Sequence, residues 1–307
     1  MKLIKPTDSN HWLKMRAENI NSSEVAALFG LSPYQTEFEL WHRKKNKEVV
    51  ILKGNDRMTW GNRLESAIAL GVAEDHNLDV KPFKDYGLIE EDRIGSSFDF
   101  AIYNKEGAAE GILEIKNVDS LQYKDKWIIE DGEVVEAPAH IELQVQHQLL
   151  VTGFEYAHIA ALVGGNRVTM LKRKKNEKII ALIKSKIKKF WESVDSNTPP
   201  NPDFVKDANF ISELYCASEP GSVLDAEGDA NIEKLVIAYQ EAAAGEKEFA
   251  AQKKAAKAQL LIAIGDHEKV MSSKFSISAG ITAPSEIAAY TRKGFRNFRV
   301  YKKKGKK

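Results

Sequence analysis

The chain carries one cysteine, Cys216, in 307 residues, which excludes an intrachain disulfide framework and a thiolate-rich metal site. It has no apolar run long enough to span a bilayer and no basic-then-apolar segment at its start. A cytoplasmic setting with no membrane partner is therefore expected. Charge of one sign does not prevail either, since 45 Lys plus Arg stand against 44 Asp plus Glu, a net of +1. That balance neither requires nor excludes a nucleic-acid partner, because one groove can be basic while the whole is neutral. Dinucleotide glycine fingerprints, a Walker loop and a local Ser-His-Asp arrangement are also missing. His140 and His147 have no suitable third ligand nearby, which argues against zinc.

What remains is ample for a core, with 43% hydrophobic and 29% charged residues. "NSSEVAALFG" predicts a helix capped by Asn21, Ser22 or Ser23, and "SPYQTEFELWHRKKN" predicts a second with Phe38 and Trp41 on one face. In "MTWGNRLESAIALGVAEDH" Leu64, Ile68 and Val72 recur every four residues, with Glu65 beside that stripe. The period then shortens to that of strands in "LDVKPFKDYGLIE", "IGSSFDFAIY" and "GILEIKNV", read as a meander. "APAHIELQVQHQLLVTG" is helical again, with His140, Gln144 and Gln148 on one face. Two strands about the Gly164-Gly165 turn follow, and then an amphipathic helix with Ile179, Ile183, Ile187 and Trp191 inward and its lysines solvated.

This order predicts an α/β fold, a mixed sheet flanked by helices. "SNTPPNPDF" breaks the composition, so one domain is expected over 1–205 and a C-terminal extension over 206–307. The extension holds one long helix or a hairpin about Gly245. A strand at "FRNFRVY" and a basic tail, "KKKGKK", follow.

The chemistry concentrates on the strands. Asp99 lies between Phe98 and Phe100, and Glu114 follows fifteen positions later, enough for two strands and a turn. In a hairpin the two carboxylates face each other, and their repulsion is relieved by a cation between them; oxygen-only ligands suit Mg²⁺ or Mn²⁺. Lys116 points to the same side as Glu114, where its ammonium can hold water or stabilise charge developing on phosphorus. Ile115 turns into the core while its backbone carbonyl remains available to a metal. Glu65 and Gln144, from the flanking helices, complete the pocket. Arg16, "HRKKNK" and "LKRKKNEK" supply basic clusters of the kind that line a phosphate groove. Trp12 and Trp41 are read as core anchors.

Glu65, Asp99, "EIK" at 114–116 and Gln144, in the order helix, strand, strand, helix, resemble the PD-(D/E)XK nuclease superfamily. The segments "WLKMRAENINSSEVAALFG", "WGNRLE", "GSSFDF", "LEIKN" and "LQVQHQLLVTG" are similar to the YqaJ-type viral recombinase and lambda-exonuclease family over about residues 10 to 195. The resemblance implies a PD-(D/E)XK restriction-endonuclease-like core. Its catalytic set is Glu65, Asp99, Glu114, Lys116 and Gln144, with metal held by Asp99, Glu114 and the Ile115 carbonyl. Arg16, Ser23 and Ser97 match positions that hold a terminal 5′-phosphate. The resemblance further implies 5′-to-3′ digestion of one strand of linear double-stranded DNA with Mg²⁺, two ions during catalysis and Mn²⁺ as a substitute. The partners it implies are duplex ends, a single-strand annealing protein and further copies of the chain in a trimeric ring, with the C-terminal extension open to oligomerisation or partner docking. The sequence departs from the family pattern at Phe100, where glycine is common, and at Ile141, where tyrosine is common. A structure- or sequence-selective endonuclease and a non-catalytic DNA-end-binding protein are the alternatives.

Overall fold

The computed structural model describes residues 1–49, 54–286, 291, 296 and 300. Two compact units emerge, Met1–Ile211 and the residues from Ser212 onward.

The first unit opens with β1 (Lys2–Ile4), α1 (Ser9–Glu18), β2 (Ile20–Asn21), a 3-10 turn (Val25–Phe29), α2 (Glu37–Lys45) and α3 (Asp56–His76). The strands β3 (Asp79–Pro82), β4 (Tyr86–Ile89), β5 (Ile94–Ser96), β6 (Phe100–Tyr103) and β7 (Ala109–Val118) follow. Next come α4 (Ser120–Lys126), β8 (Ile128–Glu130), β9 (Glu133–Glu136), α5 (Ala139–Thr152), β10 (Tyr156–Val163), β11 (Arg167–Lys174) and α6 (Glu177–Asp195), and α7 (Ala208–Leu214) runs across the end of this unit.

The central sheet has the order β11-β10-β7-β6-β3, with β7 and β10 parallel and the other neighbours antiparallel. A second sheet runs β1-β4-β5-β2. The α/β class expected from sequence is what forms, but the meander is divided: β3, β6 and β7 are antiparallel neighbours, whereas β4 and β5 pair in the second sheet. Gly95 permits that second sheet to close, because a Cβ there would lie 1.9 Å from the Tyr86 hydroxyl.

Strand periodicity sorts the side chains of β7 between two layers. Leu113 and Ile115 turn to α3, where they pack with Ile68, Ala69, Val72, Phe100 and Ala160. Ile112 turns the other way, into a core with Val145 and Leu149 of α5 and Ile183 and Ile187 of α6. Glu114 and Lys116 share the Ile112 side, so the fold carries an acid and an amine into the layer beneath α5. Phe100, where the family often has glycine, is itself a core residue against α3.

The helix expected over "NSSEVAALFG" is the single 3-10 turn, and none of its three expected caps serves it. Asn21 is instead fully buried, its amide donating to the Arg16 and Asn19 carbonyls at 2.9 Å each.

In the second unit the residues from Ala230 form one helix, α8 (Ala230–Ile264), continuous through Gly245. It is followed by β12 (Lys269–Met271) and β13 (Ser276–Ser278), an antiparallel pair. The strand expected at "FRNFRVY" and the basic tail at 302–307 lie outside the described residues, except for Arg296 and Val300.

Candidate active site

Glu114 is 2% exposed, so its carboxylate needs partners inside the protein. It has three. Lys116 Nζ donates to Oε1 at 2.5 Å, Gln144 Nε2 to the same oxygen at 2.6 Å, and Gln148 Nε2 to Oε2 at 2.7 Å. Lys116 also donates to Gln144 Oε1 at 3.2 Å, which closes a ring of acid, amine and amide. The two glutamines stand one turn apart on α5, the spacing that aims two side chains at one strand residue.

Asp99 reaches the same place from the β5–β6 connection, where its Oδ2 accepts the Ile115 N–H at 2.8 Å. Burial pushes its carboxyl well above the usual range, and the Glu114 charge adds to the effect. Glu65 of α3 lines a cavity of about 450 Å³ with Ser97 and Asp99. Burial raises its pKa, followed by the charge of Glu114. For Lys116 burial favours the neutral amine, but Glu114 and Asp99 together outweigh it and hold the pKa above the ordinary value.

A second cavity, about 590 Å³, adjoins this one and is lined by Arg16, Ser23, Tyr34, Arg43 and Lys44, among others. Arg16 Nη2 donates to Ser23 Oγ at 3.0 Å. Ser97, expected beside these two, lies instead on the cavity of the carboxylates. The link is Trp12, which lines both cavities: the Arg16 guanidinium stands 4.9 Å from its ring centre, and its Nε1 donates to Ser97 Oγ at 2.8 Å. Trp12 is thus half-buried at the site, whereas Trp41 is the core anchor that both were expected to be.

The five residues of the expected catalytic set therefore converge. Glu114, Lys116 and Gln144 are in direct contact, Asp99 is bonded to the backbone between the first two, and Glu65 acts on them through charge. Sequence reasoning passed over Gln148. The signal was present in its four-residue spacing from Gln144, but the residue class alone says nothing of a buried partner. Ile141 is buried in the core formed with α5.

Among the described residues no three His, Cys, Asp or Glu side chains form a metal centre by themselves. Asp99 and Glu114 provide two carboxylates, and the Ile115 carbonyl lies on the strand between them. All are hard oxygen donors, and the Glu114 charge adds to burial in raising Asp99. That chemistry fits a hard divalent cation rather than a soft one.

The YqaJ-like viral recombinase domain matches residues 11–155, a span that includes every one of these residues. The uncharacterized protein YqaJ of Bacillus subtilis (strain 168) is 26% identical over 223 residues, 70% of this chain and 66% of that protein, so the chain spans just under two thirds of this relative. Among solved structures, the alkaline exonuclease LHK-Exo of Laribacter hongkongensis covers 66% of this chain with 99% of its own, at 16% identity and a TM-score of 0.51. Its complex with dAMP matches over the same shares with a TM-score of 0.50. At that identity the likeness shows the fold. Nucleases of related families typically use divalent metal ions. By the domain match over residues 11–155 and the shared fold, the chain is similar to the YqaJ-like, PD-(D/E)XK-like nucleases.

Proposed function

We propose that the protein is a Mg²⁺-dependent deoxyribonuclease that digests one strand of linear double-stranded DNA from its 5′ end, leaving a 3′ single strand for annealing-type recombination. The observation that carries this reading is the Glu114–Lys116–Gln144 cluster beside Asp99, with the Arg16–Ser23 cavity one tryptophan away.

Asp99, Glu114 and the Ile115 carbonyl would hold the ion, one or two in number, with Mn²⁺ able to replace Mg²⁺. A bound divalent ion supplies positive charge to the phosphodiester and makes water a better nucleophile. The protein does the rest by placement. Lys116, held by Glu114 and Gln144, presents its remaining proton to the attacking water or to a phosphoryl oxygen. Gln144 and Gln148 fix the Glu114 carboxylate so that it need not reorganise during the reaction. Water adds to phosphorus and loses a proton to solvent, the bond to the 3′-oxygen breaks, and that oxygen takes a proton from solvent as it leaves.

Arg16 and Ser23 offer a guanidinium and a hydroxyl to a terminal 5′-phosphate, and Ser97 approaches from the catalytic side. A 5′-end digestion releases deoxynucleoside monophosphates. The Laribacter exonuclease, which shares the fold, has been captured with one of these, dAMP. Residues 206–307 are assigned to completing a homo-oligomer, a trimeric ring, or to docking the annealing protein.

Linear duplex labelled at either end, incubated with Mg²⁺ beside a covalently closed circle, tests the proposal. Prompt release of the 5′ label with the circle intact is expected. Cutting of the circle would favour a structure- or sequence-selective endonuclease, and tight end binding without label release a non-catalytic end-binding protein.

A further inference from the structure

Burying a lysine ammonium is costly unless every proton finds an acceptor. Lys44, on α2, is 5% exposed and meets that condition. Its Nζ donates to the Arg16 carbonyl at 2.7 Å, the Asn19 carbonyl at 2.8 Å and Glu24 Oε2 at 2.8 Å, three acceptors for three protons. These acceptors lie at the C-terminal end of α1 and in the segment that follows β2. One ammonium therefore ties together the two stretches that carry Arg16 and Ser23.

Asn21 works on the same knot. Its Nδ2 donates to Glu24 Oε2 at 2.7 Å as well as to the two carbonyls, and its Oδ1 accepts the Tyr86 hydroxyl at 2.7 Å. On the cavity side of this network the Arg16 guanidinium meets Ser23, and Glu24 stands next in the chain. An uncompensated carboxylate there would draw Arg16 away and repel an incoming phosphate. Packing alone does not explain a charge at this position, because an apolar side chain of similar volume fills such a site as well or better.

We propose that Lys44 is a positioning residue for the terminal phosphate: it neutralises Glu24 and locks α1 to the segment after β2, so that Arg16 and Ser23 face the cavity together as a dianion site. The inference rests on reading this cavity as the 5′-phosphate site.

The experiment uses the full chain and two linear duplexes differing only in a 5′-phosphate or a 5′-hydroxyl at the end. Lys44→Met leaves the half-buried Glu24 carboxylate without its ammonium partner, so the charge-balanced pair Glu24→Gln/Lys44→Met is the deciding variant, with folding checked by circular dichroism and thermal melting. Wild type is expected to favour the phosphorylated end by about tenfold or more, the scale of a charge-assisted contact. In the double variant that ratio is expected to fall to near one, chiefly through a higher KM for the phosphorylated duplex and with little change in kcat. Lys44→Arg, which keeps the charge, is expected to restore part of the ratio. Parallel losses on both duplexes, with the ratio kept, would overturn the proposal and leave Lys44 a fold-stabilising residue only. A wild type with no preference would instead remove the phosphate reading of the cavity, and the role of Lys44 with it.

Discussion

Glu114 and Lys116 form an ion pair at 2.5 Å, yet one partner is nearly inaccessible and both are held by amides from another element. An exposed pair on a sheet surface contributes only about 0–1 kcal/mol and needs no such support. The chemical difference between the two residues gives a prediction. Glu114→Gln removes a charged ligand, so Mn²⁺ affinity measured by titration should fall together with turnover, whereas Lys116→Ala should still bind the ion. Unchanged Mn²⁺ affinity in Glu114→Gln would take that acid out of the ion site. Arg16→Ala should slow digestion of a 5′-phosphorylated duplex far more than that of a 5′-hydroxyl duplex. Equal losses would assign Arg16 to structure, through its stacking on Trp12 and its approach to Glu24.

At the scale of elements, α5 does two things to the sheets below it. Gln148 holds Glu114 and also reaches the Ser97 carbonyl at 3.3 Å, joining β7 to the loop that carries Asp99. Gln148→Leu should therefore lower thermal stability by about 1.5–3 kcal/mol, the loss of a buried donor to a charged group. It should also slow single-turnover hydrolysis by roughly tenfold, since a factor of ten is only about 1.4 kcal/mol. A variant as active and stable as wild type would make that contact incidental. One position earlier, His147 is buried and its Nε2 donates to the Gly95 carbonyl at 3.0 Å. Burial pushes its pKa down to about 4, with the Gly95 hydrogen bond opposing.

In the unfolded chain that imidazole takes a proton near pH 6.5, so the unfolded state binds protons first. Stability should be full above about pH 6.5 and decline as pH falls toward 4, by about 1.4 kcal/mol per pH unit and about 3 kcal/mol in all. His158, also pushed down to about 4 by burial, acts in the same direction. Urea midpoints at pH 7 and pH 5 measure the slope, which His147→Gln should flatten; an equal slope in that variant would remove His147 as its source.

For the whole molecule, much of the site was legible in the sequence because strand and helix periods are local. The two-residue spacing of Glu114 and Lys116 fixes a common face, and the four-residue rows of α3 and α5 bring Glu65 and Gln144 toward it. The rest depends on contacts between distant segments. Nothing in "IGSSFDFAIY" reveals that Ile94–Ser96 pairs with Tyr86–Ile89 in one sheet while Phe100–Tyr103 joins another. Nothing near Lys44 reveals that its acceptors lie 20 to 28 residues earlier. Asn21 looked like a helix cap because its sequence neighbours suit one, and tertiary demand for a buried amide overrode that preference.

If the Glu114–Lys116 cluster hydrolyses DNA from a 5′ end, as proposed, the reaction needs the Lys116 ammonium. Single-turnover release of a 5′ label from linear duplex, comparing wild type with Lys116→Ala at equal folded content and saturating Mg²⁺, tests it most directly. The expected result is prompt release by wild type and a rate lower by about a hundredfold or more in the variant, equivalent to ~2.7 kcal/mol of transition-state stabilisation, with duplex binding retained. Wild-type release rates in Lys116→Ala would contradict it, and the pair would then be a buried structural ion pair.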